Sequence, residues 1–273
     1  MMRAITAQLA GGEFNADRVL VADNAVIVLD GATPFVPVDV DPGQYAETLG
    51  DGILKRLPYM AIPDAVAAAI ESTSQTLRLQ PGKSPSSTVS ILHVSEQEAH
   101  LYALGDSPIR YGAQSDERVL SDSRIDAIGP SLRKLYQSRL RAGYGFDRAH
   151  YRILAKLQHE QSRYRNRPSG YWIAEADPKA AYRGLLLTLP SESIHWAVMG
   201  TDGAMDPLEA VLSASWPVVA LYDEKQLQEL LLQAHDWERR SDPGAVMMPR
   251  AKPHDDKSLV AVPEVFAEPE QTI

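Results

Sequence analysis

Four short stretches of the 273-residue chain run from apolar residues into an aspartate beside a small residue, or out of one. Ala25–Leu29 leads into Asp30–Gly31, residues 101–104 lead into Gly105–Asp106–Ser107, and Trp196–Gly200 leads into Thr201–Asp202–Gly203. His254–Asp255–Asp256 precedes the apolar run 259–262. A buried strand that stops at Asp-Gly presents a hard oxygen donor at a sheet end, and the glycine lets other backbone come close. Gathered in one fold, such carboxylates suit Mg²⁺ or Mn²⁺, which prefer oxygen ligands. Asp-Gly is also the commonest hairpin turn, so the set of four, not any single one, points to a metal.

The rest of the composition narrows the chemistry. The chain has no cysteine, which removes disulfides, thiolate zinc sites and every cysteine nucleophile. Ser86–Ser87–Thr88 lacks a Gly-x-Ser-x-Gly elbow, and no phosphate loop or dinucleotide fingerprint occurs. Net charge is −9, yet residues 131–170 hold ten Lys/Arg against two acids, +8, leaving −17 elsewhere. That balance argues against nucleic-acid binding. With no bilayer-length apolar run and no leader-like start, a cytoplasmic protein without a membrane partner is expected. At 44% hydrophobic, the chain suits one domain with an insertion, taken as 1–263 followed by a tail at 264–273.

The elements that must position the aspartates are mostly sheet. Val19–Leu20–Val21–Ala22 and the run into Asp30 form a hairpin about Asp23–Asn24, and 44–57 and 63–79 read as helices. Strand-like runs at 87–94, 99–104 and 108–111 are joined by short turns and read as an antiparallel meander. The basic segment reads as two helical stretches, with Leu132, Leu135, Tyr136 and Leu140 on one face and Ile153, Leu154 and Leu157 on the next. Gly143–Tyr144–Gly145 separates them. Strands return at 185–189 and 194–199, and helices at 206–213, capped by Asp206 ahead of Pro207, and at 224–234. The class is α+β.

In order and wording, these motifs resemble those of the metal-dependent protein serine/threonine phosphatases, the protein phosphatase 2C (PPM) family. Asn15–Ala16–Asp17 stands at the first acidic motif, Val28–Leu29–Asp30–Gly31 at the Asp-Gly motif and Leu104–Gly105–Asp106–Ser107 at Gly-Asp-Ser. Thr201–Asp202–Gly203 stands at Ser/Thr-Asp-Gly, and Asp255–Asp256–Lys257–Ser258 at the terminal motif. The resemblance implies a four-layer α-β-β-α sandwich of two antiparallel sheets, with residues 131–170 as a helical flap. It implies that Asp30 bridges two metals, that the Gly31 carbonyl binds one, and that Asp202 and Asp255 bind the other. Asp106 would serve a looser third ion, and Asp17, or else Glu13, would supply the first motif's acidic group toward the metals. The implied cofactors are two Mn²⁺ or Mg²⁺, and the implied activity is attack by a metal-bridging hydroxide on phosphoserine or phosphothreonine in a protein. The implied partners are that phosphoprotein and a cognate serine/threonine kinase.

The chain departs from the family at the phosphate side. Gly12 stands where members carry an arginine, Ala16 where they carry a glutamate, and Pro108 where an arginine follows Gly-Asp-Ser; the Asp-Gly motif continues as Ala32–Thr33–Pro34. Arg18, or Arg163, Arg165 and Arg167 in the insertion, are the candidates to bind phosphate, since a guanidinium matches phosphate oxygens. Two alternatives stay open: a weak or inactive regulatory module that binds a partner through the basic segment, and a two-metal esterase for small phosphates. His254 beside Asp255 reads as a loop histidine, and Trp172 and Trp196 read as core.

Overall fold

The structure, a computed structural model, describes residues 2–32 and 39–266; Thr33 and Pro34 of the Asp-Gly continuation lie outside the described residues. Strands β1 (Ile5–Leu9), β2 (Arg18–Ala22) and β3 (Ala25–Leu29) precede helices α1 (Pro42–Leu54) and α2 (Ile62–Thr76). Strands β4 (Val89–Val94), β5 (Glu98–Leu104), β6 (Ile109–Gly112) and β7 (Arg118–Leu120) follow, then α3 (Pro130–Arg141) and α4 (Arg148–Tyr164). The chain closes with β8 (Leu185–Pro190), β9 (Trp196–Gly200), α5 (Asp202–Val211), α6 (Trp216–Val219), α7 (Glu224–Arg240) and β10 (Lys257–Val262).

Two five-stranded antiparallel sheets result, ordered β1-β10-β9-β6-β7 and β2-β3-β4-β5-β8. The two-residue period of a strand assigns each face. In β3, Ala25, Ile27 and Leu29 pack under α1 and α2, while Val26 and Val28 face the other sheet. Leu92, Leu101, Ile109, Met199 and Val260 fill the same inter-sheet layer. On the far side Val198, Leu259 and Ala261 pack against α5, α6 and α7. The architecture is therefore the expected α-β-β-α sandwich. Each fully buried aliphatic side chain in it contributes about 1.5–3 kcal/mol relative to exposure.

Local chemistry sets the helix starts. The Asp41 side chain accepts from the Gln44 N–H ahead of Pro42, and Asp147 accepts from the His150 N–H. Asp223 and Gln226 form a reciprocal capping box on α7.

Four sequence expectations change. The strands at 87–111 are not one meander: β5 stays in one sheet and β6 joins the other, because the chain turns at Gly105, whose φ is +98°, and crosses the sandwich. Helix α5 begins at Asp202 with Thr201 as its cap, so Pro207 lies inside the helix and the Asp206–Pro207 pair only imitates a start. Helix α7 continues six residues past Ala234, through Arg240. Leu135, expected on the apolar face of α3, is 47% exposed.

The basic segment folds as a helical hairpin whose turn carries Gly143 and Gly145 in the left-handed region. Tyr136, Leu140, Leu154 and Leu157 pack together with Ala245, and the buried His150 donates from Nε2 to the Ala251 carbonyl at 2.9 Å. The hairpin is thus seated on loop 241–256. At the start of the expected tail, Val265 is buried and its N–H donates to the His195 carbonyl; residues 267–273 lie outside the described residues. Removing Leu92 from the inter-sheet layer, as Leu92→Ala, is expected to cost about 2–5 kcal/mol in urea denaturation, with an unchanged m-value.

Candidate metal centre

The aspartates leave strand ends at one end of the sandwich and come from both sheets. Asp17 enters β2, Asp30 leaves β3 and Asp106 follows β5 in one sheet, while Asp202 leaves β9 and Asp255 precedes β10 in the other. The glycine after Asp30 and the one after Asp202 have a steric reason to be there. A Cβ on Gly31 would stand 2.6 Å from the Ala16 carbonyl oxygen, and one on Gly203 would stand 2.1 Å from that of Asp256. Only glycine lets these loops close around the carboxylates.

Hydrogen bonds then fix each strand end. The Asp30 N–H donates to Thr88 Oγ1 at 3.1 Å, Thr88 Oγ1 pairs with Ser107 Oγ at 2.6 Å, and Ser90 Oγ donates to the Ser107 carbonyl at 2.6 Å. The Asp30 carbonyl and the Ala32 N–H carry the ladder to 86–88, which leaves the Gly31 carbonyl outside it. Thr201 Oγ1 donates to Asp17 Oδ2 at 2.8 Å and accepts from the Ser258 N–H at 3.1 Å, joining the two sheets. Asp256 accepts from the Gly11 and Ala16 N–H groups, both at 2.8 Å, and so ties down the β1–β2 loop.

Like charges crowd here. Burial, then Asp202, Asp17 and Asp255, hold the Asp30 carboxyl well above the ordinary carboxylate range, and Asp202 lies within hydrogen-bonding reach of it. Burial and the neighbouring aspartates push Asp17 up to about 7 against the Thr201 hydrogen bond, and burial with Asp202 pushes Asp106 up to about 7. Asp206, one turn after Asp202 on α5 and open to solvent on one side, is pushed to about 7 by burial and by Asp202. Asp255 is raised by burial, though Lys252 draws it back down. An all-oxygen donor set short of positive charge fits a hard divalent cation.

The same end of the molecule holds a second group of metal-type side chains: ligand atoms of His235, Glu238 and His254 lie within 4.8 Å of one another. This group already has its cations. Glu238 Oε2 accepts from Lys257 Nζ at 2.9 Å and from His254 Nδ1 at 3.0 Å, and Arg250 Nε lies 3.8 Å from Oε1. The His235 and His254 rings stack at 4.0 Å and 23°, so their in-plane lone pairs run side by side and do not converge on one ion. It is a structural knot. Through it the wholly buried Lys257, which also donates to the Asp255 carbonyl at 3.0 Å, holds the Asp255 loop to α7.

The arginine candidates divide. Arg18 donates to the Asn15 and Asp17 carbonyls, both at 2.7 Å, and reaches Glu47 of α1 at 3.5 Å, so its contacts lie with the loop and α1. Arg165 is largely buried, paired with Glu175 at 3.3 Å and with the Tyr171 hydroxyl at 3.3 Å. Arg163 and Arg167 are exposed beside it. The segment they enter passes the site, because Ala174 bridges to Ser87 and Ser87 to Gly31. Two residues of the centre were not picked out from sequence. Asp206 stands at the i+4 position from Asp202, a helical spacing that could have shown it, whereas Lys252 carries no such signal.

No family model and no curated protein matches the chain. Solved structures do, and the fold is that of the PPM-type serine/threonine phosphatases. The Mycobacterium tuberculosis serine/threonine phosphatase PstP/Ppp is 13% identical, with a TM-score of 0.57 over 96% of this chain and 99% of that one. The PPM Ser-Thr phosphatase MsPP from Mycobacterium smegmatis, in complex with cacodylate, is 16% identical, with a TM-score of 0.54 over 94% and 96%. The catalytic domain of PstP in complex with two manganese ions is 12% identical, with a TM-score of 0.56 over 95% and 96%.

Two outcomes are expected. A carboxyl raised above its unfolded value binds more protons folded than unfolded, so its contribution is fully present below pH 3.8 and is lost as pH rises toward about 7. In EDTA, the melting temperature should therefore fall between about pH 5 and 7.5 more steeply than in the Asp30→Asn/Asp202→Asn variant; parallel curves would refute the crowding. Lys257→Met should cost about 3–5 kcal/mol in chemical denaturation by taking from buried Glu238 its cation at 2.9 Å, with part of the loss restored by adding Glu238→Leu.

Proposed function

We propose that the protein is an Mn²⁺- or Mg²⁺-dependent phosphatase acting on phosphoserine or phosphothreonine in proteins. The observation that carries this reading is the convergence of Asp30, Asp106, Asp202 and Asp255 from both sheets, in a fold shared with phosphatases of that specificity. Asp30, the Gly31 carbonyl, Asp202 and Asp255 would hold two ions, with Asp106 toward a third. Such ions, when bound, supply an activated water and neutralise the charge of an in-line phosphoryl transfer. The chain's own part is to set the carboxylates in place. Thr88 and Thr201 orient the strand ends, and Asp17 acts through Thr201 as a positioning residue. Exposed Arg163 and Arg167 are the remaining insertion candidates to meet the phosphoprotein, and a kinase that makes that phosphoprotein is the corresponding partner.

A second reading, a weak or inactive module that binds a partner protein, is favoured by the phosphate side. A Cβ at Gly12 would have nothing within 4 Å, Ala16 offers no carboxylate, and Arg18 and Arg165 are engaged elsewhere. The two readings separate on one measurement. Mn²⁺-stimulated hydrolysis of a phosphothreonine peptide is expected, reduced roughly a hundredfold or more in Asp30→Asn and in Asp202→Asn. Calorimetric Mn²⁺ binding without turnover on any phosphopeptide would select the binding module instead.

A further inference from the structure

Loop 241–256 delivers a lysine as well as an aspartate to the centre. Lys252 Nζ lies 2.5 Å from Asp255 Oδ1 and stands in the field of Asp30 and Asp256, its side chain 21% exposed. Its backbone is held on both sides. The preceding carbonyl, of Ala251, accepts from His150, and the following one, of Pro253, accepts from Arg250 Nε at 3.0 Å. Arg250 is itself fixed by Asp242, which also caps the N–H groups of Val246, Met247 and Met248. The lysine is thus launched from an anchored stretch and does not reach in from a loose surface loop. The other two cations of this loop region are already matched, Lys257 by Glu238 and Arg250 by Asp242.

We infer that Lys252 is a resident cation of the carboxylate centre, holding Asp255 when no divalent ion is bound and opposing the entry of one. The inference rests on the metal-centre reading above. An ammonium contacting a ligand carboxylate repels an incoming divalent ion and competes for the same oxygen, and both effects weaken metal binding. Removing the charge while keeping the apolar stem therefore strengthens it.

Mn²⁺ titration calorimetry, together with thermal melts in EDTA, tests this on wild type, Lys252→Met and Lys252→Arg. Lys252→Met should bind Mn²⁺ about tenfold or more tightly than wild type and melt lower without metal, while Lys252→Arg stays near wild type in both. Binding by Lys252→Met that is equal to or weaker than wild type would overturn the role of Lys252 and leave the metal centre standing. Binding by Lys252→Met alone would support it in its strongest form. If neither protein binds Mn²⁺, the metal reading falls and this inference falls with it.

Discussion

The structure is organised around electrostatic repulsion that the polypeptide relieves only in part, at Asp255 through Lys252. Two carboxylates about 4 Å apart repel by about 4 kcal/mol at an effective dielectric of 20. Here Asp17, Asp30, Asp106, Asp202 and Asp255 share one sandwich end, and burial adds to the cost. A free chain would spread them apart. The surrounding scaffold can be understood as what prevents it: a two-sheet core that sets the strand ends, two glycines that permit close loops, and hydroxyls that reach across.

The polar residues around the cluster divide the labour. Thr201 links the Asp17 carboxylate to the β10 backbone, and Asp256, next to a candidate ligand, spends both oxygens on the β1–β2 loop. On the other flank, the Glu238–Lys257 pair occupies interior positions that an ordinary sandwich would fill with apolar side chains. A buried ion pair of this kind contributes little net stability. It does fix the approach of loop 241–256 to α7, because Glu238 can satisfy Lys257, His254 and Arg250 together only in one arrangement.

Much of the centre could be read from sequence because a buried strand must end, and the residue after the last apolar one is local information. Asp30, Asp106 and Asp202 announce themselves in this way, the runs between them read as antiparallel α+β, and the two-sheet sandwich is implied by the family resemblance. What escaped is either non-local or imitated. Sheet membership of β6 depends on where Gly105 sends the chain, which no period reveals. Asp206–Pro207 has the chemistry of a helix start, although Thr201 at the end of β9 is the actual cap. The last turn of α7 is masked because buried Glu238 stands where periodicity calls for an apolar residue. Lys252 belongs to an irregular loop whose path is set by Asp242, Arg250 and His150, partners 10, 2 and 102 residues away.

The origin of the carboxylates in both sheets has a mechanical side. Asp30 and Asp106 ride on one sheet, Asp202 and Asp255 on the other, with the Val28, Leu92, Met199 and Val260 layer between those sheets. On the proposed reading, an ion held from both sides would act as a rivet across that apolar layer, and any sliding of one sheet over the other would pull those carboxylates apart. Packing at the centre of the molecule and the grip at its rim would then be one mechanical system.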